Sequence, residues 1–179
     1  MIWVLPALLT VALAAVPPSP TPAAAGSVTA AAAALLDTPD RRVRTTNSRL
    51  ADLLARGVKR SRTFAELVLA LNRTDVIVYI EAASHMPNPV AGRLLLLPLA
   101  NDQRYLRIQV RQDFTPDDLI SLIGHELRHA LEVAAVPGVR SQEALVELYE
   151  RIGKSSSAHR YDTVAAQNTG RQVRSELNS

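Results

Sequence analysis

Two histidines one helical turn apart, His125 and His129, enclose a glutamate in the run Gly124-His125-Glu126-Leu127-Arg128-His129-Ala130, which has the form H-E-x-x-H. Residues at i and i+4 share one face of a helix, so each imidazole can turn a ring nitrogen toward the same divalent cation, about 2.0–2.1 Å away. Glu126 then stands beside the cation, placed to take a proton from a water that the cation acidifies. The pattern therefore supplies two ligands and one base. With four His and eight Glu among 179 residues, random placement would produce it with a frequency of about 0.4%.

The segment carrying these residues reads as one helix. Thr115 suits the N-cap, Pro116 the first helical position, and Asp117 and Asp118 complement the positive end of the helix dipole. Pro137-Gly138 supplies the stop. Leu119, Leu122, Ile123, Leu127, Ala130, Leu131 and Val133 fill most of the circumference, which leaves Asp117, Ser121, Arg128 and Glu132 on a narrow polar strip. Such a helix is mostly buried and takes the imidazoles inside, where a polar nitrogen without a partner costs roughly 1–3 kcal/mol. A bound metal removes that cost.

The run from Gly124 to Ala130, with strands preceding the helix, resembles the zincin metallopeptidases over roughly residues 76–134. The resemblance implies a zinc ion held by His125 and His129, Glu126 as general base, and a peptide or protein substrate held extended by backbone hydrogen bonds at a sheet edge. The metzincin continuation requires a Gly and a third His soon after the motif. Residues 131–140 contain neither that His nor a Gly at the required place. The thermolysin-like (gluzincin) branch, with an acidic third ligand from a later helix, is the better likeness.

Three carboxylates are candidates for that third ligand. Ser141 caps a helix with Ala144, Leu145, Leu148 and Ile152 on one side and Glu143, Glu147 and Glu150 on another. If it returns antiparallel across Pro137–Arg140, Glu147 or Glu150 comes opposite His129. A last helix after Ser155–Ser157, with Tyr161 and Asp162 in its first turn, comes back to the level of His125. Asp162 and Glu147 are favoured over Glu150. His159 and Tyr161 are candidate donors to a developing oxyanion. His85 has less support, and Arg171 and Arg174 read as solvent-facing charges.

The remaining elements form a scaffold for this helix. Asn47 and Ser48 cap a helix with Leu50, Leu53, Leu54 and Val58, ending near Gly57. Thr63 and Glu66 suggest a capping box for a second. Val76–Ala82, Arg93–Leu99 and Arg104–Val110 read as strands, the last two joined tightly through Asn101 and Asp102. Pro98 puts its strand at an edge or near its end. The expected fold class is α+β: two N-terminal helices, a small mainly antiparallel sheet, the H-E-x-x-H helix and two C-terminal helices. Arg104–Val110 is the expected substrate edge.

Composition bounds the partners and the compartment. A chain of 179 residues, 47% hydrophobic and 21% charged, can bury the core of one domain. The absence of cysteine excludes disulfides, thiolate catalysis and Cys-ligated zinc. Aromatics at 4% and scattered arginines, under a net charge of only +3, argue against nucleic acid. Met1–Val16 lacks any charged side chain and leads into small residues and prolines, the pattern of a secretory signal peptide. The run is short for a membrane span, which makes an uncleaved anchor the lesser alternative. The expected organisation is a signal peptide over 1–25, a linker over 26–36 and a domain over 37–179, secreted or periplasmic, without stable membrane insertion once the signal is cleaved. The expected function is zinc-dependent hydrolysis of the metallopeptidase type. A non-catalytic zinc-binding scaffold or interaction protein is the other class, and the intact Glu126 argues against it.

Overall fold

The computed structural model describes residues 22–87, 90–100, 103–156 and 160–179. Its order is α1 (Pro22–Leu36), β1 (Val43–Arg44), α2 (Ser48–Arg60), α3 (Arg62–Leu71), β2 (Val76–Ala82), β3 (Gly92–Ala100), β4 (Gln103–Val110), α4 (Pro116–Ala134), α5 (Gln142–Ile152), β5 (Lys154–Ser156), β6 (Arg160–Asp162) and α6 (Val164–Leu177). The α+β class is as expected, and the segment Met1–Val16 lies outside the described residues. No helix among the described residues is long and apolar enough to cross a membrane.

Four strands form one sheet in the order β1-β2-β4-β3, and β5 pairs with β6 in a separate two-stranded ribbon. The main sheet is mixed, correcting the expectation of a mainly antiparallel one. The pairs β1/β2 and β2/β4 run parallel, and only β3/β4 is antiparallel. The chain leaves β2, passes to the far edge as β3, and returns between them as β4. Val78 thus faces Leu106 across the parallel pair, and Leu96 faces Leu106 across the antiparallel one. β4 is consequently an interior strand, so Arg104–Val110 has no free backbone for a substrate. The edge is β3, where Pro98 is tolerated because no further strand needs its missing N–H.

Side-chain alternation turns one sheet face to the helices. Val78, Ile80, Leu106, Ile108 and Val110 are buried there with Leu119, Ile120, Ile123, Leu127 and Val133 of α4. Thr115 caps α4 by accepting from the Asp118 N–H at 3.3 Å, and Ser141 caps α5 through the Ala144 N–H at 3.2 Å, both as the residue types suggest.

Other local expectations are overruled by packing. Gly57 does not end α2: a Cβ there would lie 2.9 Å from Ile120 and 3.0 Å from Phe64, so the glycine serves close approach inside the helix. Ser61, not Thr63, caps α3 through the Phe64 N–H. The Thr63 hydroxyl donates instead to Glu176 at 2.7 Å, and Glu66 pairs with Arg62. Residues 26–36, expected as a linker, lie in α1, whose Ala32 is fully buried while Val28, Leu35 and Leu36 pack on the core.

The far end of the metal-motif helix is fastened by a buried charge. Arg104, fully buried on β4, donates to the carbonyls of Val133 and Val136 at 2.9 Å each and of Ala134 at 3.1 Å. It also forks onto Asp75 at 2.7 and 2.8 Å. The guanidinium thus meets the negative end of the α4 dipole and adds donors at and just beyond the last turn, where the helix's own N–H groups run out. Arg104→Ala should destabilise the fold by about 3–5 kcal/mol, measured by denaturant unfolding at neutral pH. The same pair sets an acid limit. The hydrogen bond from Arg104 holds the Asp75 carboxyl below its ordinary 3.8 despite some burial. Its contribution is therefore complete above that value and is lost as pH falls through the lower folded pKa. Wild-type stability should fall over that window more steeply than that of Arg104→Ala, and equal slopes would contradict the assignment.

Candidate metal centre

α4 brings His125 and His129 to one side, with ring centroids 4.9 Å apart. The helix can lie close to α6 because both carry a glycine at the crossing. A Cβ on Gly124 would stand 3.0 Å from Val173, and one on Gly170 would stand 3.3 Å from the His125 Cβ. The Ser121 hydroxyl fastens the crossing by donating to the Gly170 carbonyl at 2.8 Å.

Asp162 completes the group. It is the last residue of β6, directly before Thr163, the N-cap of α6, whereas the residue pattern suggested the first turn of the helix. Its Oδ1 lies 3.4 Å from His125 Nε2 and 3.4 Å from His129 Nε2. Its Oδ2 accepts from the Gln167 amide at 3.0 Å. Oδ1 itself is buried and has no hydrogen-bond partner among the described residues. Donors on a tetrahedral ion at 2.0–2.1 Å lie about 3.3–3.4 Å apart, so each imidazole nitrogen stands at co-ligand spacing from the Asp162 oxygen. One donor atom from each of the three residues lies within 4.8 Å of the others. Of the candidate third ligands, only Asp162 belongs to such a group among the described residues. Glu147 is exposed on α5 and stands outside it, because its helix turns Leu145, Leu148 and Tyr149 inward instead. Glu150 is exposed too, although it lines the cavity beside the site.

The surrounding groups fix the histidines. His129 Nδ1 lies 2.8 Å from Glu132 Oε2, and the Thr163 hydroxyl donates to Glu132 Oε1 at 2.7 Å. Burial disfavours the charged Glu132, but these two hydrogen bonds outweigh it and hold its pKa below the ordinary value. With Glu132 ionised, the hydrogen of that contact belongs to His129 Nδ1, and Nε2 is the ring nitrogen that faces Asp162. The Tyr149 ring meets His129 edge-on, with centroids 5.2 Å apart, and its hydroxyl donates to the His129 carbonyl at 3.2 Å.

Charge and burial divide the titrations. Burial, and then the neighbouring His129, push His125 below its ordinary pKa against the pull of Asp162 and Glu132. Burial also opposes charge on His129, but the Glu132 hydrogen bond and the nearby carboxylates raise its pKa on balance. Glu126 is only 5% exposed, and burial pushes its carboxyl up to about 7 although His129 pulls the other way. Burial and the three neighbouring carboxylates raise the Tyr149 phenol.

Glu126 projects toward the edge strand. A Cβ on Gly92 would lie 2.6 Å from Glu126 Oε1 and 3.1 Å from Leu122. Gly92→Ala should therefore leave the fold and any bound metal in place, since the end of a flexible side chain can move. If Glu126 serves as a general base, displacing its carboxylate should lower turnover by about 10²-fold. Metal stoichiometry measured alongside turnover checks this, and unchanged turnover would contradict it.

A cavity of about 790 Å³ opens over the group, lined by residues 90–94 at the start of β3, by α5 including Tyr149, and by Glu126, His125, His129 and Asp162. A second, of about 550 Å³, shares Ala91, Leu122 and His125 with it and extends past Phe114 and Arg171. The two cavities adjoin at His125, and the first also reaches His129. His159 lies outside the described residues, as does the side chain of Tyr161. His85 is exposed, Arg171 hydrogen-bonds Asn168, and Arg174 pairs with Asp118 at 2.8 Å.

Residue patterning missed Glu132, Thr163, Tyr149 and Gln167. Glu132 had one available signal, its position three residues after His129 on the same helical face. Tyr149 falls at core spacing with Leu145 and Leu148 and reads as packing. These residues define an α+β protein whose His125, His129 and Asp162 can hold a metal ion. Comparison with family models, curated proteins and solved structures returns no match, so function has to be argued from the site itself.

Proposed function

We propose that the protein is an exported zinc-dependent hydrolase of the metallopeptidase type, related in mechanism to the zincins. The observation that carries this reading is the convergence of His125 Nε2, His129 Nε2 and the unpartnered Asp162 Oδ1, with the buried Glu126 on the same cavity. Two imidazoles and one carboxylate, without a thiolate, suit zinc with a position left for water. The acidic third donor agrees in kind with the thermolysin-like branch, although it comes from a strand.

Zinc bound there supplies Lewis acidity and a water acidified toward neutral pH. Glu126 would be the group that accepts a proton from the attacking water and returns it to the leaving amine. Its burial raises its basicity above that of an ordinary carboxylate. Tyr149 and Glu132 hold His129 in place. The substrate, a peptide or protein segment, lies extended in the larger cavity, paired with the free edge of β3 in place of the strand over Arg104–Val110. The apolar, uncharged Met1–Val16 supports export.

The test is to assay zinc-loaded protein on a peptide library. Cleavage lost on chelation and restored by zinc is expected, and no cleavage by fully zinc-loaded protein would contradict the hydrolase reading.

A further inference from the structure

The Glu132 carboxylate joins the two segments that carry the metal group, and Arg128 Nε on its own helix lies 3.8 Å from Oε1. One oxygen holds the Nδ1 of His129, on α4, at 2.8 Å, and the other holds the hydroxyl of Thr163 at 2.7 Å. Thr163 follows Asp162 directly in the chain and caps α6, its hydroxyl oxygen accepting from the Ala166 N–H at 3.0 Å. The Glu132 side chain is only 9% exposed, so water competes poorly for either contact. His129 and Asp162 come from segments more than thirty residues apart, and this carboxylate joins them without itself being a ligand.

We infer that Glu132 is a positioning residue that assembles the metal site as a bridge. It orients the His129 ring so that Nε2 faces Asp162 Oδ1, and through Thr163 it holds the β6–α6 junction at the distance that presents Asp162 to both histidines. Metal affinity then depends on Glu132 and Thr163 as one unit. The inference rests on reading His125, His129 and Asp162 as a metal centre, but not on catalysis.

The experiment is a zinc titration against a chromophoric chelator, using the full chain, with thermal unfolding of the metal-free proteins in parallel. Glu132→Ala and Thr163→Val should each weaken zinc binding by about 10–100-fold, the range expected of residues that orient a ligand. The double variant should be no weaker than the poorer single one, because both substitutions break the same bridge. Thr163→Ser, which restores the hydroxyl, should bind within about twofold of wild type. Glu132→Gln preserves shape and covers the case of an alanine variant that does not fold; about a tenfold loss is expected. A merely structural role would lower the metal-free unfolding temperature and leave affinity untouched. Affinities of Glu132→Ala and Glu132→Gln within about twofold of wild type, or additive losses in the double variant, would overturn the bridge while leaving the metal centre standing. A wild-type protein that binds no zinc would overturn both.

Discussion

Glu126→Gln should keep the fold and the bound zinc but lower turnover by about 10²–10⁴-fold, the range of a general base in the transition state. Glutamine fills the same space beside Gly92 and Leu122 and cannot accept a proton. The same substitution should raise the stability of the metal-free protein at alkaline pH. Burial lifts the Glu126 carboxyl from an ordinary 4.5 to about 7, so the folded chain holds this proton more tightly than the unfolded chain. Stability from this group is therefore full below about 4.5 and declines as pH rises through about 7, by on the order of 3 kcal/mol. Glu126→Gln abolishes that decline. A residue that costs stability where it is ionised is kept at the expense of the fold, the balance expected of a functional group. Turnover and unfolding measured at pH 8 in the absence and presence of zinc separate the two effects. Equal turnover in variant and wild type would exclude Glu126 as the base.

Removing any one of the three converging donors should have the other large effect. His125→Ala, His129→Ala and Asp162→Ala each take away a ligand, so each should abolish stoichiometric zinc binding, a greater loss than the roughly 10–100-fold expected of an outer-sphere residue. Glu147→Ala and Glu150→Ala are the matched controls, and both should bind zinc like wild type, since neither carboxylate belongs to the group. Equilibrium dialysis with elemental analysis reads all five. Retention of one equivalent by Asp162→Ala together with its loss in Glu147→Ala would reassign the third ligand.

These contrasts reflect which parts of the molecule are written locally in the chain. Thr115, Pro116 and the apolar spacing of α4 specify that helix from within, and H-E-x-x-H needs only helical geometry to align two imidazoles. The strand over Val76–Ala82 was equally legible from its β-branched run. Sheet order was not, because the passage of β3 to the outside and the insertion of β4 depend on contacts between distant segments. The unbroken burial of Val76, Ile77 and Val78 is the local trace of a strand flanked on both sides. Choosing Asp162 over Glu147 and Glu150 likewise required the placement of β6 and the outward turn of α5. Gly57 misled because its small size serves Phe64 and Ile120, partners that no local pattern reveals.

The most direct test of the metal centre is the zinc content and X-ray absorption spectrum of the wild-type chain after reconstitution and removal of loosely held metal. One zinc per chain, with a first shell of nitrogen and oxygen and the outer scattering of two imidazoles, is the predicted result. Failure to retain zinc, or a wild-type spectrum unchanged in His125→Ala and His129→Ala, would contradict the assignment of His125, His129 and Asp162.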